Sequence, residues 1–201
     1  MYEELFAKHK VVPVVVIEKI EDAIPTLKAM LDGGVSVAEV TFRTECAEEA
    51  IRRGCKEFPE MDIGAGTVIN GEQCERAIKA GAKFIVGPGT SDEVMAVCKK
   101  HNIPYLPGCI TPTEIMHALA NGYDIIKFFP AGNYGGLKTM KALSGPFPQV
   151  KFLPTGGISL ENLREYLDWN KIVACGGSWM MKGDIKANCE EVAKIEKEYI
   201  K

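Results

Sequence analysis

Short apolar runs rich in β-branched residues recur along the chain, over residues 11–17, 37–42, 62–65, 84–86, 104–106, 125–129, 150–153 and 172–174. Each is followed by a cluster of Gly, Pro or Thr and then by a stretch with helical spacing. The helical stretches cover residues 21–31, 47–57, 72–80, 92–99, 113–120, 137–143, 160–167 and 186–199. Capping-box patterns sharpen three helix starts, Asn70-x-x-Gln73, Thr90-x-x-Glu93 and Thr111-Pro112-x-Glu114, the last with proline at the first helical position. One helix between each pair of strands is the length a parallel crossover needs. About eight such units predict an α/β fold of the (β/α)8 TIM-barrel type, one domain over residues 1–201, with a short amphipathic helix over residues 1–10 ahead of the first strand. An open doubly wound sheet would carry one dominant glycine fingerprint after its first strand, and no G-x-G-x-x-G follows residues 11–17. Glycines crowd instead after many strands, at Gly64-Ala65-Gly66, Gly87-Pro88-Gly89, Gly156-Gly157 and Gly176-Gly177.

One strand breaks its own pattern. Lys127 stands between Ile125-Ile126 and Phe128-Phe129, where a strongly hydrated amine costs stability unless it is used. Side chains alternate along a strand, so Ile125, Lys127 and Phe129 share a face, and in the second strand Glu39, Thr41 and Arg43 share one. In a barrel the outer face packs on helices, which turns Glu39, Arg43 and Lys127 inward, near the strand ends where this fold places its chemistry. Glu39 and Arg43, four residues and roughly 13 Å apart along a strand, are too distant to be each other's main partner.

An amine in a dry, positive site gives up its proton readily and can attack a ketone to form a Schiff base. A carboxylate can then move protons, and a guanidinium can grip a substrate carboxylate. That set suits a 2-keto acid. The glycine pairs after the seventh and eighth strands, Gly156-Gly157 and Gly176-Gly177-Ser178, stand where barrels commonly bind phosphate through backbone N–H groups.

Composition removes other classes. Net charge is −3 and the 24 Lys and Arg are scattered singly, so neither nucleic acid nor a membrane surface is an expected partner. Seven cysteines, Cys46, Cys55, Cys74, Cys98, Cys109, Cys175 and Cys189, form no C-x-x-C pair, which argues against a disulfide framework or zinc site and for the cytoplasm. No export signal and no membrane-spanning run is expected. His9, His101 and His117 fall in predicted helices or at their ends, away from the loops that would form the site.

The segments E-V-T-F-R-T-E (39–45), G-A-G-T-V (64–68), K-F-F-P-A (127–131), G-P-F (145–147), P-T-G-G-I (154–158) and G-G-S-W (176–179), in this order, resemble the bacterial 2-keto-3-deoxy-6-phosphogluconate (KDPG) / 4-hydroxy-2-oxoglutarate (KHG) aldolase family. The resemblance implies a class I aldolase without metal or other cofactor, acting on small-molecule substrates, a 2-keto acid and a phosphorylated aldehyde, and assembled as a homotrimer. It makes Lys127 the Schiff-base lysine and Glu39 the general acid/base, with Arg43 and Thr67 on the pyruvyl carboxylate. Phe129 and Pro88 shape the pocket, Gly156, Gly157, Gly177 and Ser178 receive phosphate, and Thr155 lies near a substrate hydroxyl. Two stretches depart from the family: Gly132 stands where an acidic residue is expected nearby, and Gly87-Pro88-Gly89 replaces S-P-G. Thr155 favours the gluconate-derived substrate over the galactonate one. A phosphosugar isomerase or epimerase on the same barrel would share the phosphate site but would not need the buried amine; an inactive binding module would tolerate loss of Glu39 or Arg43, and both are present.

Overall fold

In the computed structural model, which describes residues 2–200, strands and helices alternate along the chain. The strands are β1 (Val11–Val15), β2 (Val37–Thr41), β3 (Asp62–Gly66), β4 (Ile85–Val86), β5 (Tyr105–Leu106), β6 (Ile125–Phe128), β7 (Lys151–Pro154) and β8 (Cys175–Gly177). Helix α1 (Tyr2–Lys8) precedes β1, and of the helix expected over residues 1–10, Met1 lies outside the described residues. After β1 come α2 (Ala23–Asp32), α3 (Ala47–Glu57), α4 (Gly71–Ala80), α5 (Asp92–His101), α6 (Pro112–Ala120), α7 (Gly136–Ser144), α8 (Leu163–Leu167) and α9 (Ile185–Tyr199).

Every strand pairing is parallel, as one-helix crossovers require. Six strands run in the order β5-β4-β3-β2-β1-β8, and β6 and β7 form a separate pair. Isolated parallel bridges, Gly108↔Lys127 on one side and Thr155↔Gly176 and Phe152↔Ile172 on the other, join that pair to the two ends of the larger sheet. The strands are buried on both faces, which is why they read as near-continuous apolar runs rather than as half-polar alternation.

Several boundaries differ from the expectation for physical reasons. The eighth strand is Cys175–Gly177 rather than residues 172–174, because it is this segment that pairs with Val11–Pro13. Its glycines look like a turn, but a Cβ on Gly176 would stand 2.3 Å from Thr155 Oγ1, so close packing, not turning, demands glycine there. The helix expected over residues 160–167 is only Leu163–Leu167, and the one expected from residue 21 begins as a 3-10 turn, Ile20–Asp22.

Thr90 is not a cap. Its Oγ1 donates to Gly108 O at 2.9 Å, while Ser91 caps α5 and Glu93 instead accepts from Gly71 N. Asn70 does cap α4, but Gln73 returns to Ile69 N rather than to the cap residue. The Thr111/Glu114 box is complete, with Glu114 Oε2 accepting from Thr111 N at 2.8 Å. Helix α9 is fastened to β1 by Glu196, 5% exposed, whose Oε1 accepts from Lys10 N at 2.6 Å and Val11 N at 2.7 Å. Burial pushes its carboxyl above the usual carboxylate range despite these two donors.

Candidate active site

Lys127 and Glu39 meet in the interior. Lys127 is 3% exposed and Glu39 0%, and Lys127 Nζ donates to Glu39 Oε1 at 3.0 Å, with Oε2 at 3.4 Å. Each side chain is aimed by its strand register. Lys127 lies beside Leu153 of β7, and its own N–H and C=O bond to Pro107 O and Cys109 N across the seam to the segment after β5. Glu39 lies between Val14 of β1 and Gly64 of β3. Gly66 leaves the room the carboxylate occupies, since a Cβ there would stand 2.0 Å from Glu39 Oε1. The Phe129 ring closes over the amine, its centroid 5.6 Å from Nζ, a favourable cation–π placement that also excludes water. The apolar neighbours that made Lys127 anomalous in sequence are what keep it dry.

Arg43 follows β2 and is exposed. Its Nε donates to Thr67 Oγ1 at 2.9 Å. Thr67 follows β3 in the left-handed region, φ 55°, a rare and strained setting for a β-branched residue. No carboxylate pairs with Arg43 among the described residues, so most of its guanidinium donors stay available to a ligand.

A cavity of about 240 Å³ opens onto Lys127. Arg43, Phe129 and Thr155 line it, and so do Gly156, Gly157, Gly177 and Ser178 from the loops after β7 and β8. Gly156 and Gly157 both have left-handed backbone, φ 87° and 81°, which suits consecutive N–H groups to face an anion. The loops after β6 and β7 are stitched together by Ala131 N donating to Thr155 O at 2.8 Å and Gly132 N to Gly156 O at 2.9 Å. Gly132, the departure noted in sequence, allows this approach: a Cβ there would be 3.3 Å from Gly157 Cα. Two polar atoms of the cavity wall are buried without a protein partner, Thr155 Oγ1 and Trp179 Nε1.

Of the residues expected from sequence, Glu39 lies beneath the cavity and Thr67 is tied to it through Arg43. Pro88 does not line it; it is exposed, with its carbonyl packed where a Cβ of Gly108 would stand. Sequence reasoning missed Val14, Ile158, Trp179 and Lys182, which also line the cavity. Val14 and Trp179 were within reach, the first from β1 alternation and the second as the residue after G-G-S. A larger hollow of about 350 Å³ lies at the opposite strand ends, lined by Asp62, Lys83 and residues of α1, and holds none of the reactive set. No histidine lines the cavity, and each pairs with a carboxylate: His9 with Asp62, His101 with Glu75 and His117 with Asp92.

The arrangement can do imine chemistry: a nucleophilic nitrogen, an adjacent carboxylate to take its proton, an arginine for an acid group, and a cavity that admits a short chain. Residues 2–197 match the family model described as KDPG and KHG aldolase. The chain is 42% identical over 200 residues to the KHG/KDPG aldolase of Escherichia coli K12, spanning 98% of this chain and 94% of that relative. It is 46% identical over 178 residues to the 2-dehydro-3-deoxy-phosphogluconate aldolase of Treponema pallidum, spanning 89% and 85%. A solved structure of KDPG aldolase from Legionella pneumophila, with pyruvate captured at low pH as a covalent carbinolamine, superposes with a TM-score of 0.89 at 40% identity over 99% of this chain and 98% of that one.

Proposed function

The chain belongs to the KDPG and KHG aldolase family, and from that premise we infer that it is a class I aldolase cleaving 2-keto-3-deoxy-6-phosphogluconate reversibly to pyruvate and glyceraldehyde 3-phosphate. The observation that carries this is the buried Lys127 amine, 3.0 Å from the Glu39 carboxylate at the floor of an open cavity. Neither a phosphosugar isomerase nor a binding module needs that pair.

The geometry supports a sequence of steps. Glu39 accepts a proton from the Lys127 ammonium, freeing the nitrogen to attack the substrate ketone carbon. Proton return to the carbinolamine oxygen lets water leave and produces an iminium. The iminium draws in the electron pair of the C3–C4 bond as that bond breaks, the C4 hydroxyl proton passes to a base, and the aldehyde departs. The enamine left on Lys127 is protonated at C3, and water then hydrolyses the imine to release pyruvate. Arg43, positioned by Thr67, holds the carboxylate of the keto acid, and the unpartnered Thr155 hydroxyl is placed for a substrate hydroxyl. Gly156, Gly157, Gly177 and Ser178 receive the phosphate. Hydroxyoxoglutarate, cleaved to pyruvate and glyoxylate, uses the same pyruvyl half, and Thr155 supports the gluconate over the galactonate substrate.

On architecture, the isolated bridges at both ends of the β6-β7 pair support closure of the strands into one (β/α)8 barrel, and the continuous buried core supports one domain. Seven free thiols support a reducing compartment such as the cytoplasm, and assembly as a homotrimer rests on the family resemblance. The test is borohydride reduction in the presence of pyruvate followed by peptide mass analysis. A reduced pyruvyl adduct is expected on the peptide holding Lys127 and absent from Lys127→Met. An adduct on any other lysine, or none, overturns the reading, as does turnover lost to a chelator.

A further inference from the structure

We propose that Lys182 is the residue that makes this site prefer a phosphorylated substrate, an inference that rests on the aldolase reading for the substrate's identity but not for its anion. Three cationic side chains, Arg43, Lys127 and Lys182, line the cavity and no carboxylate does, in a chain whose net charge is −3. This local excess is the signature of a ligand with more than one negative group. Lys127 is paired with Glu39, and Arg43, tied to Thr67 through its Nε alone, keeps its remaining donors for the substrate carboxylate. Lys182 is the third, and among the described residues its amine has no ion-pair or hydrogen-bond partner.

The backbone holds it in place. The 3-10 turn Trp179–Met181 leads from the Gly177-Ser178 rim straight to Lys182, whose N–H donates to Trp179 O at 3.3 Å. Its carbonyl accepts from Asn188 Nδ2 of α9 at 2.6 Å, so the residue is pinned from both sides at the cavity mouth. The nearest acid in sequence, Asp184, is engaged in capping α9 through Ala187 N. Lys186 lies within ion-pair distance of Glu190 and leaves Lys182 alone at the rim.

The two available cations of the cavity differ in kind. Arg43 supplies a planar fork, matched to a carboxylate; Lys182 supplies a compact point charge on a flexible stem, beside glycine N–H groups and the Ser178 hydroxyl. A dianionic phosphate gains more from this point charge than the monoanionic carboxylate of glyoxylate does. Lys182 thus sets the ratio between the two substrates.

The experiment compares wild type, Lys182→Gln and Lys182→Arg on the phosphorylated gluconate and on hydroxyoxoglutarate, and reads 31P line broadening of inorganic phosphate by each protein. Loss of one exposed charge-assisted contact predicts a roughly 5- to 30-fold fall in the kcat/KM ratio between the substrates for Lys182→Gln, carried by KM, with most of it recovered in Lys182→Arg. The phosphate affinity is expected to weaken by a similar factor. An unchanged ratio with unchanged phosphate affinity overturns the proposal, and so does an equal loss on both substrates, which would make Lys182 a structural residue. If wild type cleaves neither substrate, the aldolase reading fails, while the phosphate titration still decides the role of Lys182.

Discussion

Substituting Gly66 by alanine tests whether the Lys127–Glu39 contact is the working element, because it perturbs the pair without changing either member. Gly66 lies outside the left-handed region, so its backbone accepts alanine. The added Cβ would stand 2.0 Å from Glu39 Oε1, 2.4 Å from Cγ and 2.5 Å from Cδ, where ordinary contact begins at 3.4 Å. The carboxylate must therefore retreat by more than an ångström. Glu39 is 0% exposed, so that retreat strains its surroundings and breaks the 3.0 Å bond to Lys127. Overpacking of this kind costs about 1–3 kcal/mol, and weakening a buried ion pair raises the total toward about 5 kcal/mol. In the general acid/base role proposed for Glu39, its displacement predicts a fall in kcat of at least about 100-fold.

Urea unfolding followed by tryptophan fluorescence reads the first quantity, and steady-state pyruvate release the second. Gly64→Ala is the comparison, since the nearest atoms its Cβ would meet belong to the Phe84 ring, at 2.4 to 2.5 Å, and not to the carboxylate. It should lose stability while keeping most of its turnover per folded molecule. Wild-type kcat in Gly66→Ala, or equal kcat losses in the two variants, would refute the reasoning.

Two further outcomes follow from the same geometry. Thr155→Val removes a buried hydroxyl that has no protein partner, so stability should hold or rise while kcat/KM drops about 10- to 100-fold; a stability loss with intact kinetics would show that the hydroxyl serves the fold. Glu196 binds its proton more tightly folded than unfolded, so its ionisation lowers stability as pH climbs from the ordinary carboxylate range through its raised value. Glu196→Gln keeps an Oε1 for Lys10 N and Val11 N and should flatten that slope; denaturation midpoints with the same slope in both proteins between about pH 4 and 8 would exclude Glu196 as its source.

Much of this was legible in the residues themselves. Strand–helix alternation, parallel pairing and the shared interior of Glu39 and Lys127 follow from period-two and helical spacing, because each strand is buried on both faces and each helix on one. What spacing does not encode is close approach between segments distant in sequence. Cys175–Gly177 reads as a turn because Gly176 answers to Thr155, more than 20 positions away. Thr90 reads as a cap because its pattern is right, yet its hydroxyl goes to Gly108. Lys182 reads as one surface lysine among many, since its meaning depends on which carboxylates are missing around it. Pro88 was drawn toward the site by motif alone, and its side chain does not line the cavity.

The two-stranded β6-β7 unit carries Lys127 yet joins the larger sheet only through isolated bridges. Cooperative opening follows such seams, so the protein's amide-exchange map should divide there. Amides at Lys127 and Cys109, whose bonds cross one seam, are expected to exchange before those in the continuous β1-β2-β3 ladder. Uniform protection across both would remove the division. In the proposed reaction the imine would then form on the section of the sheet expected to open first, beside a seam that Lys127's own backbone bonds cross.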